Sequence, residues 1–237
     1  MDERVAKIRE QEVLAHTKMY QSEILFSGES WLKKPVRAVM ELLPILEQRP
    51  MARILDLGCG VGRNCIPLAQ ALSSKCQVEA VDYLEIAIEK LIENAERYGV
   101  KKEIRGITST IEDFRIRQNT YDLIMAISAL EHLESKEQFL EKLDEMKLGV
   151  RAGGVMVLIM NSEVREFDLD HHVEVTPQFE INWEADELLA ILGAEFSGWE
   201  ILEKAVAPRV YPVGRVGFLG EMRTRVVRMV IRKRVAP

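Results

Sequence analysis

Apolar and polar positions alternate along this 237-residue chain in blocks typical of strands and helices in turn. Short apolar runs bounded by glycine, proline or polar residues predict seven strands. They fall at Arg53–Leu57, Gln77–Asp82, Ile104–Ile107, Tyr121–Ile127, Gly153–Met160, Trp199–Ala207 and Arg223–Arg232. Helical periodicity appears between them at Asn64–Leu72, Leu84–Tyr98 and Glu184–Leu192. Strands that alternate with helices predict an α/β fold around a mostly parallel sheet.

Two helices are predicted ahead of the first strand. The segment Glu3–Tyr20 spaces its apolar residues loosely as a helix, and Trp31–Leu46 is a second helical pattern interrupted by Pro44. We therefore expect residues 1–50 to form a helical lid packed on a single core domain of residues 51–237. A hairpin with proline and glycine, Tyr211–Gly220, is expected before the last strand.

The longest predicted connection is Asn161–Asn182, and long connections in compact domains tend to be functional. It contains His171 and His172 next to Asp168 and Asp170, residue types that bind metals. A solvated loop has the same composition, and we predict no metal site. The alternative interpretation makes His171 or His172 a wall or a base of a substrate pocket.

Composition narrows the class of protein. Hydrophobic residues make up 47% of the chain and charged residues 30%, which is ordinary for a globular protein. The net charge of −6 argues against a nucleic-acid partner. No apolar stretch is long enough to span a membrane, and the charged N-terminus differs from a signal peptide. The three cysteines lack a C-x-x-C pair, so we expect reduced thiols in a cytoplasmic protein.

The basic C-terminal segment is the one charge asymmetry. From Arg209 onward eight basic residues face the single acid Glu221. Basic and apolar residues alternate within Arg223–Arg232, as expected for a strand flanked by solvent, and basic residues near a sheet edge discourage aggregation. A nucleic-acid or membrane contact is the alternative.

The most specific pattern is Asp56-Leu57-Gly58-Cys59-Gly60-Val61-Gly62, which joins a predicted strand to a predicted helix. Such a glycine turn exposes backbone N–H groups at the helix N-terminus and binds nucleotide-like ligands in α/β sheets. Arg63 stands where the dinucleotide fingerprint has its third glycine. Asp56 would repel a pyrophosphate and suits a cationic ligand.

Asp82 supports a nucleoside ligand. It ends the second predicted strand, about 20 residues beyond the glycine loop, where an acid can accept hydrogen bonds from ribose hydroxyls. An aspartate at this point can also cap the following helix, and both roles can hold together. Methyltransferases and NAD enzymes share this feature.

The glycine loop resembles motif I of class I S-adenosylmethionine-dependent methyltransferases. The run Ser30–Pro35 is similar to the small-molecule branch that includes tellurite-resistance-type enzymes. The resemblance implies a three-layer Rossmann-like fold with a seven-stranded, mostly parallel sheet whose last strand is antiparallel. It implies in-line methyl transfer from S-adenosylmethionine to a small-molecule acceptor. The implied cofactor contacts are Asp56, Gly58, Cys59, Gly60, Asn64, Asp82, Tyr83, Thr110, Ile111 and Ala126.

Within that resemblance, Thr110 and Ile111 match the adenine-binding positions, although Thr110 replaces the usual acid. Glu112 or Asp113 takes that role if the register slips. The carbonyl of Ala126 matches the group that binds the cofactor ammonium.

His132 matches a histidine common in small-molecule methyltransferases and is the candidate general base. A purely structural histidine is the alternative. Tyr20 and Trp31 are candidates for the substrate pocket, with core packing as their alternative.

Two other functions stay open. An NAD-dependent oxidoreductase is disfavoured by the glycine spacing and by the position of Asp56. A protein that binds the cofactor without methylating anything would carry the same cofactor half. No oligomeric state is predicted.

Overall fold

The computed structural model describes residues 3–28, 31–215 and 218–235. Its sheet has the strand order β3-β2-β1-β4-β5-β8-β7, with β6 paired to β5 at one end. The strands are β1 Ala52–Leu57, β2 Cys76–Asp82, β3 Ile104–Thr108, β4 Tyr121–Ile127, β5 Val150–Asp168, β6 Val173–Val175, β7 Glu200–Arg215 and β8 Phe218–Arg232. Strands β1 to β5 pair in parallel, and β8 is antiparallel to both β5 and β7. The predicted sheet and its antiparallel last strand are confirmed.

Helices cover both faces of this sheet. They are α1 Glu3–Ser22, α2 Arg37–Met40, α3 Leu43–Leu46, α4 Cys65–Leu72, α5 Glu85–Arg97, α6 Lys136–Gly149 and α7 Ala185–Glu195. One apolar cluster joins the sheet to α2 to α5 and the N-terminal segment, and the other joins it to α6 and α7. No helix in these described ranges is long and apolar enough to cross a membrane.

Strand β1 shows why the layers form. Successive side chains of a strand point to opposite faces, so Ile54 packs in the first cluster and Leu55 in the second. Both are fully buried. A strand buried on both faces needs a nearly continuous apolar run, which is the pattern that predicted it.

The N-terminal segment is part of the core. Tyr20, Leu25 and Leu32 are at most 5% exposed and pack in the first apolar cluster. The predicted helix Trp31–Leu46 is instead a 3₁₀ turn at Trp31–Lys33 followed by α2 and α3. Pro44 lies in the first turn of α3, where no backbone N–H is required, so it starts a helix and does not interrupt one.

The predicted connection Asn161–Asn182 is wrong in its first part. Strand β5 continues to Asp168, and β6 folds back against it. Strand β7 likewise continues to Arg215 and pairs with β8, which begins at Phe218. Residues 216–217 between them lie outside the described residues, as does Ser30 of the run quoted above. These extensions form because β5, β8 and β7 provide hydrogen-bond partners for one another's backbones. The sequence of one strand alone does not show that such partners are present.

Helix α6 was not predicted. Its buried Phe139, Leu143 and Met146 follow helical spacing, and the Ser135 hydroxyl accepts a hydrogen bond from Gln138 N–H at its start. This cap and this spacing are visible in the sequence, but the many charged residues between them obscure the pattern.

Gly62 provides a test of the loop geometry. Its φ is +95°, and an added Cβ would lie 2.6 Å from Ile66 Cδ1 and 2.7 Å from Leu91 Cδ1. We expect Gly62→Ala to lower the free energy of unfolding by about 2 kcal/mol, measured by urea denaturation. The matched control is Gly193→Ala in α7, where a Cβ meets nothing within 4 Å. In that variant the free energy of unfolding should rise by roughly 0.5–1 kcal/mol. Equal effects of the two substitutions would contradict the loop geometry.

Candidate functional site

The glycine loop lies at the carboxyl end of β1. Gly58, Gly60 and Gly62 have φ values of +74°, +52° and +95°, which other residues rarely adopt. The N–H groups of Gly58 and Cys59 donate to the Val81 carbonyl at 2.8 and 3.0 Å. An added Cβ on Gly58 would lie 2.6 Å from Ala129 Cβ, so the glycine also permits the segment after β4 to approach the loop. Gly62 allows the close packing that the third glycine provides in the dinucleotide fingerprint.

Asp82 ties this loop to the next strand. Its Oδ2 accepts from Gly60 N–H at 2.9 Å, and its Oδ1 accepts from Leu84 N–H at 3.0 Å. The carboxylate is thus bound to the backbone just ahead of α5 and also to the loop where a ligand would lie. Burial raises its pKa, and the two backbone hydrogen bonds oppose that rise.

Asp56 is a buried acid with an unused oxygen. The residue is 1% exposed, and its Oδ2 has no hydrogen-bond partner. Burial raises its pKa to about 7, while a hydrogen bond from Cys65 lowers it. A positive charge beside Asp56 would stabilise the ionised carboxylate, which agrees with the cationic ligand expected from the sequence.

Helix α1 covers the loop. The Tyr20 hydroxyl lies 3.0 Å from the position of a Cβ on Gly60, and Tyr20 is 5% exposed. The Tyr83 hydroxyl donates to Glu12 Oε2 at 3.3 Å. The region that a nucleoside would occupy, between Gly60 and Tyr83, is therefore overlaid by one face of α1.

His132 joins α1 to the segment after β4. Its Nδ1 lies 2.9 Å from Glu180 Oε2 and its Nε2 lies 3.4 Å from Glu12 Oε1, while its ring stacks on Phe179. Burial lowers the pKa of His132, but the carboxylates of Glu12 and Glu180 outweigh burial and raise it to about 10. At neutral pH the imidazole is protonated here, so a role as general base requires one of these carboxylates to move away.

Arg9 adds a second link between α1 and the core. Its guanidinium contacts Glu112 at 2.5 Å and lies 3.5 Å from Glu134 and from Glu180. It also donates to the His132 carbonyl at 3.3 Å. Helix α1 is therefore fastened on one side by charge and on the other by the buried Tyr20.

Glu12, His132 and Glu180 place one potential metal-ligating atom each within 4.8 Å of one another. Both ring nitrogens of His132 already face carboxylates, and Arg9 lies beside Glu180. The protonated imidazole and the guanidinium thus supply the positive charge that these acids need.

Several predicted contacts have local partners instead. Asn64 Oδ1 accepts from Val36 N–H at 3.0 Å and so fixes the segment before α2. The Thr110 hydroxyl donates to Asp113 Oδ2 at 2.9 Å, which engages the group proposed for adenine. Ile111 packs against the second apolar cluster. Ala126 is buried in β4 opposite Leu57 of β1, close to the glycine loop.

His171 and His172 are not in the pocket proposed for them. They lie at the exposed turn between β5 and β6, where the His171 side chain is 76% exposed and its Nδ1 contacts Asp168 Oδ2 at 2.8 Å. The reason is the extension of β5, which carries this turn beyond the end of the parallel strands. Trp31 is 45% exposed and stacks on the Arg63 guanidinium, with 4.7 Å between the group and the ring centre.

Sequence reasoning missed Glu12, Glu180 and Arg63. The two glutamates are remote from His132 in the chain, and neither stands in a motif. Arg63 was noticed only as the residue that replaces a glycine. The partial burial of the Arg63 side chain next to the loop depends on the fold.

Comparison with known proteins agrees with this geometry. Residues 54–154 match a family model described as a methyltransferase domain. The chain is 23% identical over 153 residues to ajmaline N-methyltransferase from Rauvolfia serpentina, covering 65% of this chain and 48% of that protein. It is 37% identical over 87 residues to the ubiquinone biosynthesis O-methyltransferase of Rickettsia canadensis, covering 37% and 34% of the two chains. The chain spans half or less of these relatives.

The crystal structure of TehB from Haemophilus influenzae shares the fold, with a TM-score of 0.60 and 21% identity over 83% of this chain and 62% of that one. Residues 54–154 thus match a methyltransferase domain, and S-adenosylmethionine is the cofactor that this match implies. The resemblance predicted from the glycine loop is confirmed.

Proposed function

We propose that this protein transfers a methyl group from S-adenosylmethionine to a small-molecule acceptor. The observation that carries the proposal is the buried Asp56 carboxylate, which has one unpartnered oxygen beneath a loop of three left-handed glycines. A dinucleotide would bring negative phosphates to this point. The methionine end of S-adenosylmethionine brings an ammonium and a sulfonium, which match the carboxylate.

The remaining cofactor contacts follow the strand ends. Asp82 is proposed to bind the ribose hydroxyls, since its carboxylate is already held in place by Gly60 and Leu84 N–H groups. Tyr83 is proposed to face the adenosine, and the Ala126 carbonyl the ammonium. An adenine contact at Ile111 is supported by its position just after β3, whereas the Thr110 hydroxyl would first have to leave Asp113.

Bound S-adenosylmethionine supplies a methyl group on a good leaving group, so the protein contributes chiefly alignment and exclusion of water. Helix α1, through Tyr20 and Glu12, closes over the place where donor and acceptor would meet. We propose that α1 moves when either enters, and that this motion separates Glu12 from His132. His132 then loses the partner that favours its proton most, and its capacity to accept a proton from an acceptor hydroxyl or ammonium increases.

The acceptor class is supported by the small-molecule methyltransferases among the relatives. A cytoplasmic location is proposed from the three cysteines, all buried free thiols.

The test compares S-adenosylmethionine, S-adenosylhomocysteine and NAD as stabilisers of the purified protein. A ligand at about 100 times its Kd should add roughly 2.7 kcal/mol to the unfolding free energy. We expect stabilisation by the two sulfur ligands and none by NAD. Release of S-adenosylhomocysteine is then followed with amine, hydroxyl and thiol acceptors.

The outcomes separate the candidates. Stabilisation by NAD alone would refute the assignment of Asp56 and the methyltransferase proposal with it. Binding of the sulfur ligands without turnover on any acceptor would favour a cofactor-binding protein that methylates nothing.

A further inference from the structure

A cavity of about 290 Å³ lies at the amino ends of the parallel strands. Its lining includes Ile54 of β1, Val78 of β2 and Ile104 of β3. The glycine loop follows the opposite, carboxyl end of β1, so this cavity is separate from the site described above. Its volume is close to the lower limit of ligand pockets, roughly 300–1,000 Å³, and suits a small molecule.

One connection of the sheet leaves this region open. Residues 109–120 join β3 to β4 without a helix. Glu79 lies two residues before Val81 and therefore points to the same face of the sheet as the second apolar cluster. Arg105 lies opposite Glu79 on β3. Because no helix covers this part of the face, charged side chains occupy it.

The lining carries an excess of positive charge. Its cations are Arg53, Lys102, Arg105 and Arg117, and its acids are Glu79 and Glu103. Their formal charges sum to +2, in a chain whose net charge is −6. Among the described residues, neither Arg53 nor Lys102 forms an ion pair with a carboxylate. The positive charge of the cavity is thus free to attract an anion.

Glu79 holds Arg117 in place. Arg117 Nη2 and the Tyr121 hydroxyl each donate to Glu79 Oε2 at 2.6 Å. The guanidinium also lies over the Tyr121 ring, 5.8 Å from its centre. Tyr121 is 1% exposed, so this anchor is fixed to the core. A guanidinium has five N–H donors, so Arg117 can bind Glu79 and a ligand together.

We propose that this cavity binds a small phosphate monoester. Such a group carries about −1.5 to −2 charge at pH 7 and has three acceptor oxygens. It therefore matches a lining charge of +2 that is presented by guanidinium and ammonium donors. A carboxylate, with a single negative charge, would neutralise half of this excess. The inference goes beyond the proposed methyl transfer and does not rest on it.

The experiment compares methyl phosphate with methyl sulfate, which has a similar shape and a single negative charge. At about pH 8 methyl phosphate is a dianion, because its second pKa is about 6. Both are titrated at constant ionic strength into the isotope-labelled whole chain, and the NMR shifts of the backbone amides give the Kd and the location of the ligand.

The variants are K102Q, R117Q and the double variant, with K101Q and R97Q as controls. Lys101 is adjacent to Lys102 but pairs with Glu96. The Arg97 guanidinium lies 5.7 Å from the centre of the Tyr98 ring, much as that of Arg117 does from Tyr121. Neither control residue lines the cavity. Since Lys102 has no ion pair to lose, K102Q tests the site even if R117Q is destabilised.

We expect saturable binding of methyl phosphate to the wild type, with amide shifts at residues 102–105. Methyl sulfate should bind at least about fivefold more weakly. Each single variant should weaken methyl phosphate by about 3- to 5-fold, as for an exposed ion pair. The double variant should weaken it by about 10-fold or more, since separate contacts add. K101Q and R97Q should leave the Kd unchanged.

Four results would overturn the proposal. The first is no saturable binding by the wild type, and the second is equal affinity for the two anions. The third is an effect of K101Q as large as that of K102Q, which would indicate attraction by general surface charge. The fourth is a set of shifts at residues 58–65 in place of 102–105, which would locate the phosphate at the glycine loop.

Discussion

Replacing Asp82 with alanine is expected to weaken S-adenosylhomocysteine binding by about 100-fold. The ribose would lose a charged acceptor, and hydrogen bonds to charged groups contribute roughly 1.5–3 kcal/mol each. The same change leaves the N–H groups of Gly60 and Leu84 without their partner, so the glycine loop loses its tie to β2. Asp82→Asn should cost less, because its amide oxygen can still accept one of these bonds.

Titration calorimetry measures this effect, with Asp144→Ala as the control. Asp144 is an exposed acid on α6 that forms an ion pair with Lys147, and its loss should leave the affinity unchanged. Thermal unfolding without ligand shows how much of the Asp82 effect comes from the loop itself. An unchanged affinity in Asp82→Ala would exclude Asp82 from the ligand site.

The second large effect concerns pH. The pKa of His132 is about 10 in the folded protein, well above the ordinary histidine value of 6.5. Its contribution to stability is therefore fully present below about pH 6.5 and is lost as pH rises through 10. Between these limits the folded state binds one more proton than the unfolded state. The contribution should fall by about 1.4 kcal/mol per pH unit.

We expect the difference in unfolding free energy between the wild type and His132→Gln to shrink by about 2–3 kcal/mol from pH 7 to pH 9. Subtracting the variant removes the titration of other groups. Glu12→Gln tests whether the neighbouring carboxylate is the cause, since Glu12 contributes most to raising the pKa of His132. That variant should move the loss of stability to lower pH. A pH-independent difference would show that His132 is neutral in the folded state.

The pH dependence of the reaction rate also tests the role of His132. If His132 accepts the proton of the acceptor, kcat/KM should rise with pH until the imidazole of the free enzyme is neutral. Glu12→Gln should shift that rise to lower pH, since Glu12 contacts His132 in the free enzyme, while leaving S-adenosylhomocysteine affinity within several-fold. This outcome separates a proton acceptor from a histidine that only fastens α1.

The sequence by itself determined the parallel strands and the glycine loop. The apolar runs of β1 and β4 are buried on both faces, which is the position of a central strand in a parallel sheet covered by helices. The glycine loop could be predicted because its constraints are local, with left-handed φ values and close backbone contacts that only glycine permits. Asp56 and Asp82 follow from the same short segments.

The tertiary structure alone decided what surrounds them. Glu12 and Glu180 reach His132 from 120 and 48 residues away and convert a candidate base into a protonated link between helix and core. Strand β5 continues through what the sequence presented as a loop, because β8 supplies its backbone partners, and this extension carries His171 and His172 to an exposed turn. Hydrogen bonds between distant strands and the pKa of a buried group depend on neighbours that the fold brings together. Local sequence patterns do not identify these neighbours.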